Sequence, residues 1–348
     1  MTMYSKKLLI IGALPHDNKS ETYGGTTVLM KNLVDFLECQ NSCEFIIVRA
    51  NRFLKVGSSL LNFLYVLCKV IIKLPSSDII MVNVSVNGAF ILSPVLFIFT
   101  KLLRKKFVFR MFGGDLIELL KTKNSILLKI FNLTVMKSDI IFVETFRIIK
   151  FLKNRTTKTS WFPNVRRIES KIIIESKYNK RFVFISHINR SKGIVEIIHA
   201  FKELDESYII DVYGPIKDDV LDSLELPENF NYKGVLEPEI VLETINRYDV
   251  LLLPTYWRGE GYPGIIIEAF SQGKPVISTN WNSIPELVDS KSGILIEPKN
   301  YKELKKAITH FNSDNYSLYS YNALQKSNKF NSDIVNKRII NEIANIKN

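Results

Sequence analysis

Cysteine is scarce, with three residues at 39, 43 and 68 in a chain of 348. An odd number without a Cys-x-x-Cys pair argues against both a disulfide framework and a thiolate zinc site, and it fits a reducing compartment. No Gly-x-Gly-x-x-Gly follows a strand, so the nicotinamide fingerprint is missing. No Asp-x-Asp is present to hold a divalent cation through paired carboxylates. None of these patterns calls for a metal or a cofactor, and none is expected. No charged-then-apolar leader precedes the first apolar run, which places the chain in the cytoplasm. A membrane span needs roughly 20 apolar residues. The two longest apolar stretches, Phe53 to Leu74 and Ala89 to Phe109, are interrupted by Asn62 and Lys69 and by Pro94 and Lys101.

Acidic residues are short in one half only. Residues 1–165 hold 23 Lys and Arg against 10 Asp and Glu, a net +13, whereas residues 166–348 hold 24 against 25, a net −1. The whole excess of the +12 chain thus lies in its first half, together with both long apolar stretches. Lys101, Arg104, Lys105 and Lys106 crowd the end of the second stretch. A cationic, apolar surface is what anionic lipid headgroups attract, and peripheral attachment to the inner face of a cell membrane is the reading adopted. Ordinary core helices with solvated lysine ends are the alternative. Nucleic acid, the other usual partner of a basic face, has no recognisable binding motif here.

With 46% hydrophobic residues the chain is long enough for two cores. Strand and helix patterns alternate from end to end, which gives an α/β fold of parallel sheets with helices on both faces. Strands are expected at Lys7 to Ala13, Cys43 to Arg49, Asp78 to Asn83, Phe107 to Arg110 and Asp139 to Val143. The pattern breaks at Trp161 to Arg167. It resumes at Arg181 to Ser186, Ile209 to Tyr213, Asn231 to Tyr232, Val250 to Pro254, Pro275 to Ser278 and Ile294 to Ile296. Two Rossmann-like domains, residues 1–165 and 166–330, follow from this, with a cleft expected beyond the carboxyl ends of their strands.

Three segments carry chemistry. Arg258-Gly-Glu-Gly-Tyr-Pro-Gly-Ile-Ile-Ile-Glu268 sets two carboxylates around a glycine-rich loop that opens a helix. Gly259, Gly261 and Gly264 let backbone approach a ligand, Pro263 suits the first helical turn, and the helix N-terminus offers free N–H groups to a diphosphate. Phe184-Ile-Ser-His-Ile-Asn-Arg190-Ser-Lys192-Gly193 is a strand, a loop and then a helix, where Lys192 and Arg190 are candidates to neutralise a diphosphate. His187 is either a structural residue at the strand end or part of the same site. Tyr23-Gly24-Gly25-Thr26 opens a helix after the first strand, where adjacent glycines either admit a phosphate or make a simple turn.

Together with Pro163-Asn164, Ile284-Pro285-Glu286 and Ser292-Gly-Ile-Leu-Ile-Glu-Pro298, these segments resemble family 4 of the retaining GT-B glycosyltransferases, most closely bacterial enzymes of O-antigen or capsular polysaccharide assembly. The similarity is strong over residues 160 to 300. It implies two facing Rossmann domains, a nucleotide-sugar donor (UDP- before GDP-) held by the second, an acceptor held by the first, and a last helix, within residues 331–348, packing back on the first. The resemblance assigns Glu268 to the ribose hydroxyls, Glu260 to the transferred sugar, and the backbone of Gly261, Tyr262, Pro263, Gly264 and Ile265 to sugar and distal phosphate. It assigns Lys192 to the diphosphate and Gly24 and Gly25 to the phosphates from the other side. Two departures stand out. Ser186-His187 replaces the usual Gly-Arg, leaving Arg190 as a candidate substitute. Arg110-Met-Phe-Gly113-Gly114-Asp115 replaces the usual His-Gly, so Asp115 or Arg110 is the candidate there. The implied reaction is metal-independent transfer with retention to a lipid-diphosphate-linked saccharide. A nucleotide-sugar 2-epimerase and a non-catalytic nucleotide-sugar-binding subunit are the rival readings.

Overall fold

Ile79–Val84 reads IIMVNV and is buried at every position, as is Val250–Leu253, VLLL. Strands buried on both faces belong to parallel sheets covered by helices on each side, and the chain builds two such sheets. The computed structural model describes residues 4–15, 25–40, 43–50, 59–168 and 177–347. The chain divides into two compact units, residues 1–165 with 332–348, and residues 166–331.

The first unit runs β1 (Tyr4–Gly12), α1 (Gly25–Gln40), β2 (Cys43–Arg49), α2 (Ser59–Lys73), β3 (Ile79–Val84), α3 (Val86–Phe90), α4 (Leu92–Leu102), β4 (Lys106–Met111), α5 (Leu116–Thr122), α6 (Ser125–Leu133), β5 (Ile140–Val143), α7 (Phe146–Leu152) and β6 (Thr159–Trp161). Its six strands are all parallel, in the order β2-β1-β3-β4-β5-β6. Side chains alternate between the sheet's two faces. Leu8, Ile10, Met81, Val108 and Phe142 pack with α1 on one side, while Leu9, Ile11, Val82, Phe109 and Val143 pack with α2, α4 and α6 on the other.

The second unit runs β7 (Arg181–Ile185), α8 (Ile194–Lys202), β8 (Ile209–Tyr213), β9 (Phe230–Tyr232), α9 (Val241–Asn246), β10 (Val250–Leu253), α10 (Gly264–Ser271), β11 (Val276–Thr279), α11 (Ile284–Leu287), β12 (Gly293–Ile296), α12 (Tyr301–His310) and α13 (Tyr316–Ser327). Its parallel strands lie in the order β12-β11-β10-β7-β8-β9. Helix α14 (Ser332–Ala344) then belongs to the first unit, where Val335, Ile339 and Ile343, spaced four apart, enter the α1 side of the core. Lys6 donates from Nζ to the carbonyls of Ala344 and Ile346, at 3.3 and 2.6 Å, and so occupies acceptors at that helix's C-terminal end.

The stretch Ala89 to Phe109 divides as the expected strand at Phe107 to Arg110 requires: α4 stops at Leu102, Arg104 turns the chain with φ of 54°, and Phe107 to Phe109 are buried in β4. Two expectations change. Thr159–Trp161, within and beside the expected break, is a sixth strand that pairs with β5. Pro263 sits one residue outside α10, as its N-cap, rather than in its first turn. Gly24, the first part of Phe53 to Leu74 and most of the polar loop after β1 lie outside the described residues.

Candidate functional site

In the second unit the sheet order reverses at the neighbouring strands β7 and β10, since β8 and β9 continue on one side and β11 and β12 on the other. Loops leaving the carboxyl ends of such a strand pair diverge and leave a ligand crevice, the topological switch point of open α/β sheets. Both loops that matter start here: residues 186–193 follow β7 and residues 254–263 follow β10. They are tied together. The amide of Tyr256 donates to the Ser191 carbonyl at 2.8 Å, and the Thr255 hydroxyl oxygen lies 3.3 Å from the same carbonyl. The loop after β7 also folds on itself, with the Asn189 side chain accepting from the Lys192 amide and the Ser191 hydroxyl at 3.0 and 2.8 Å.

This stitching sets Lys192 against Glu260. Lys192 Nζ donates to Glu260 Oε2 at 2.6 Å, and the Thr255 hydroxyl donates to the same oxygen at 2.8 Å. Both charged side chains are largely buried and Thr255 is wholly so. An ion pair removed from water persists only when its hydrogen bonds are satisfied, and Thr255 supplies one of them. The result is an ammonium group held within reach of a carboxylate just ahead of the N-terminus of α10.

Helix α10 has no acid in its first turn and no side chain capping its first amides. Its N-terminus therefore presents partial positive charge and open donors toward the same loop. Glu268 follows one turn in, and Arg166 Nε donates to its Oε1 at 2.5 Å. Arg166 is itself fixed at the unit's edge, its amide donating to the Phe330 carbonyl at 3.0 Å and its backbone bridging Asn331. Tyr262 is buried, with its hydroxyl donating to Glu286 Oε2 at 2.6 Å and its ring edge-on to Phe330. Its ring is thus committed to the fold, which leaves the loop backbone of Gly261, Pro263, Gly264 and Ile265 as the part that can meet a ligand.

Arg190 is turned elsewhere: its guanidinium donates to the Ser223 hydroxyl at 3.1 Å and lies 3.8 Å from Asp219, not beside Lys192 and Glu260. His187 is exposed, and partial loss of water around its ring, followed by the charges of Lys217 and Lys192, lowers its pKa. In the first unit Gly25 opens α1 at the surface, and Asp115 is the N-cap residue of α5 at the carboxyl end of β4. Arg110 is a core residue. Its guanidinium lies over the rings of Phe162 and Phe112, 3.3 and 4.6 Å from their centroids, and burial pulls its pKa down to about 9 against the raising effect of Glu144. Lys101 pairs with Asp139 at 2.6 Å, and Lys105 and Lys106 lie 3.9 Å from Asp78 and Asp139, so part of the basic cluster is neutralised inside the unit. Among the described residues no group of three or more His, Cys, Asp or Glu is placed to hold a metal.

Two site residues escaped the sequence reading. Thr255 follows a strand in no special pattern, and Arg166 stands 102 positions from its partner Glu268. Only the fold reveals either.

Residues 165–329 match the family model "Glycosyl transferases group 1". The matched segment is the second unit almost end to end, so both glutamates and Lys192 lie in the part of the chain that is similar to this family. The chain is 27% identical over 184 residues to "Uncharacterized 41.2 kDa protein in cps region" of Klebsiella pneumoniae, covering 50% of this chain and 49% of that protein. It is 29% identical over 133 residues to "Putative teichuronic acid biosynthesis glycosyltransferase TuaC" of Bacillus subtilis, covering 37% and 32%. The chain thus spans about half, or less, of the length of these relatives. The crystal structure of HepE from Anabaena in complex with UDP shares the fold, with a TM-score of 0.72 at 15% identity over 97% of this chain and 99% of that one. The architecture is that of the GT-B glycosyltransferases, two Rossmann-like domains.

Proposed function

We propose that the protein is a retaining glycosyltransferase that moves a sugar from a nucleotide-diphosphate sugar to a lipid-diphosphate-linked saccharide at an anionic membrane surface, in the assembly of a bacterial surface polysaccharide. The observation that carries the reading is the buried Lys192–Glu260 pair ahead of the open N-terminus of α10. Lys192 and the helix N-terminus supply positive charge where a departing nucleoside diphosphate gains negative charge, which is where electrostatic stabilisation lowers a barrier. Glu260 takes hydroxyls of the transferred sugar. Glu268 takes the ribose diol, since a carboxylate has acceptor sites enough for two hydroxyls beside Arg166.

Retention follows if the acceptor hydroxyl attacks the anomeric carbon from the side the nucleotide leaves. The bond from that carbon to the phosphate oxygen breaks, a bond to the acceptor oxygen forms, and the acceptor proton passes to the leaving phosphate. All charge stabilisation in this reading comes from Lys192 and backbone. UDP is favoured over GDP, with support from the UDP held by HepE on the same fold.

The test is incubation with a panel of nucleotide sugars, with and without a lipid-diphosphate-linked saccharide, followed by NMR of the products. Transfer that preserves the anomeric configuration is expected, with Glu268→Ala losing donor binding and Glu260→Gln losing turnover. An epimerised donor formed without acceptor, or unchanged transfer by both variants, overturns it.

A further inference from the structure

Helices α2, α4 and α6 cover one face of the first sheet, burying Val66 and Val70, Leu92 and Leu96, and Phe131 against it. Helix α2 touches α4, and α4 touches the 3-10 turn at Val135–Lys137 that follows α6, so the three helices lie side by side on that face. That surface is unusually apolar. Ile72 is 77% exposed, Leu102 72%, Ile126 67% and Leu133 65%, from all three helices. Single exposed apolar residues are ordinary, whereas a joined patch of them marks an interaction surface.

Its charge is of one sign. Ser59–Lys73, Leu92–Leu102 and Ser125–Leu133 contain no Asp or Glu, only Lys69, Lys73, Lys101 and Lys129. Lys101 is spent on Asp139, but Lys69, Lys73, Arg104 and Lys129 have no acidic partner among the described residues. Beside the exposed end of α4 a cavity of about 470 Å³ is lined by Lys6, Arg104, Lys105 and Lys106 against the single acid Asp78. Aliphatic side chains ringed by cations fit a layer that is apolar inside and anionic outside. They do not fit a second copy, whose equally basic first unit would be repelled.

We infer that the outward face of α2, α4 and α6 is a membrane-docking surface, on which Ile72, Leu102, Ile126 and Leu133 enter the acyl boundary of an anionic bilayer while Lys69, Arg104 and Lys129 engage its phosphates. The inference deepens the membrane part of the proposed function and adds α6, which lies outside the two apolar stretches visible in the sequence. No helix among the described residues is long and apolar enough to cross a membrane, so the contact is interfacial, reaching roughly 5–10 Å into the headgroup region.

Vesicle co-sedimentation tests it, comparing phosphatidylcholine alone with equal parts of phosphatidylcholine and phosphatidylglycerol. Binding is expected on the anionic vesicles, weakened by salt. The triple variant Lys69→Gln, Arg104→Gln, Lys129→Gln is expected to bind roughly 100-fold more weakly, about fivefold per charge. The triple variant Ile72→Ser, Leu102→Ser, Leu133→Ser is expected to lose roughly tenfold per side chain even at low salt. All six positions are at the surface, so thermal unfolding and UDP binding should match the unsubstituted protein. Anionic-vesicle binding that neither variant weakens overturns the inference, as does a dimer in sedimentation velocity that the serine variant dissolves. Sugar transfer to a soluble acceptor without vesicle binding sinks the docking surface and leaves the transferase; vesicle binding without transfer does the reverse.

Discussion

Lys192 and Glu260, 68 residues apart, meet at 2.6 Å because the loops after β7 and β10 are laced together at Ser191, Thr255 and Tyr256. The pair is buried, so removing one partner strands a charge. Lys192→Ala is expected to cost about 3 kcal/mol of stability. Combining Lys192→Met with Glu260→Gln should recover most of that loss in chemical denaturation while transfer activity stays lost. A double variant as unstable as Lys192→Ala alone would show that the two residues do not compensate one another.

Arg166 holds the Glu268 carboxylate through Oε1 and is anchored to Phe330 and Asn331. In the proposed function it acts on the donor only by positioning Glu268. Arg166→Gln is therefore expected to raise the donor KM by roughly 10-fold or more, the worth of a charge-assisted hydrogen bond, with kcat within about twofold. Steady-state kinetics with varied donor separate the two effects. A fall in kcat at unchanged KM would place Arg166 in the chemical step instead.

Gly193 follows Lys192 with φ of 86°, and a Cβ built there would lie 2.3 Å from the Pro254 carbonyl oxygen. Gly234 has nearly the same φ, 84°, with nothing within 4 Å. Both Gly→Ala changes carry the left-handed penalty of about 1–2 kcal/mol. Only Gly193→Ala also forces apart the loops after β7 and β10, so it should cost at least about 3 kcal/mol and abolish donor binding, measured by calorimetry. Equal losses at the two glycines would mean that the close packing against Pro254 is relieved at little cost.

Much of this was legible because parallel strands are long, apolar and regularly spaced. Cys43–Arg49 and Ile209–Tyr213 fall where periodicity puts them, and the glycine-rich loop announces α10. Thr159–Trp161 was not legible, being only three residues, Thr-Ser-Trp, with no alternation to read. Arg166 and Thr255 were hidden for another reason. Their meaning lies in partners brought close by sheet order, and local pattern carries no record of that. The basic cluster misled in part, because counting charge cannot see that Asp139 and Asp78 lie beside Lys101, Lys105 and Lys106.

Asp289 governs a pH dependence remote from the site. Desolvation pushes its carboxyl up, but hydrogen bonds from Lys326 and Ser292 and the charge of Lys326 outweigh this and hold it at about 2, against an ordinary 3.8. A carboxylate whose folded pKa is depressed adds stability that is full above its unfolded pKa and disappears as the pH falls through the folded one. The window here is from about 4 down to about 2. Asp289 is half exposed, so solvent screens the pair and the contribution stays small. Lys326 Nζ reaches Asp289 from α13 at 2.6 Å, which ties the turn before β12 to that helix. Asp289→Asn is therefore expected to lower the melting temperature at pH 7 by a few degrees and to flatten its fall between pH 4 and pH 2. Melting curves of the two proteins that run parallel across that window would show that the pair contributes nothing to the stability of the second unit.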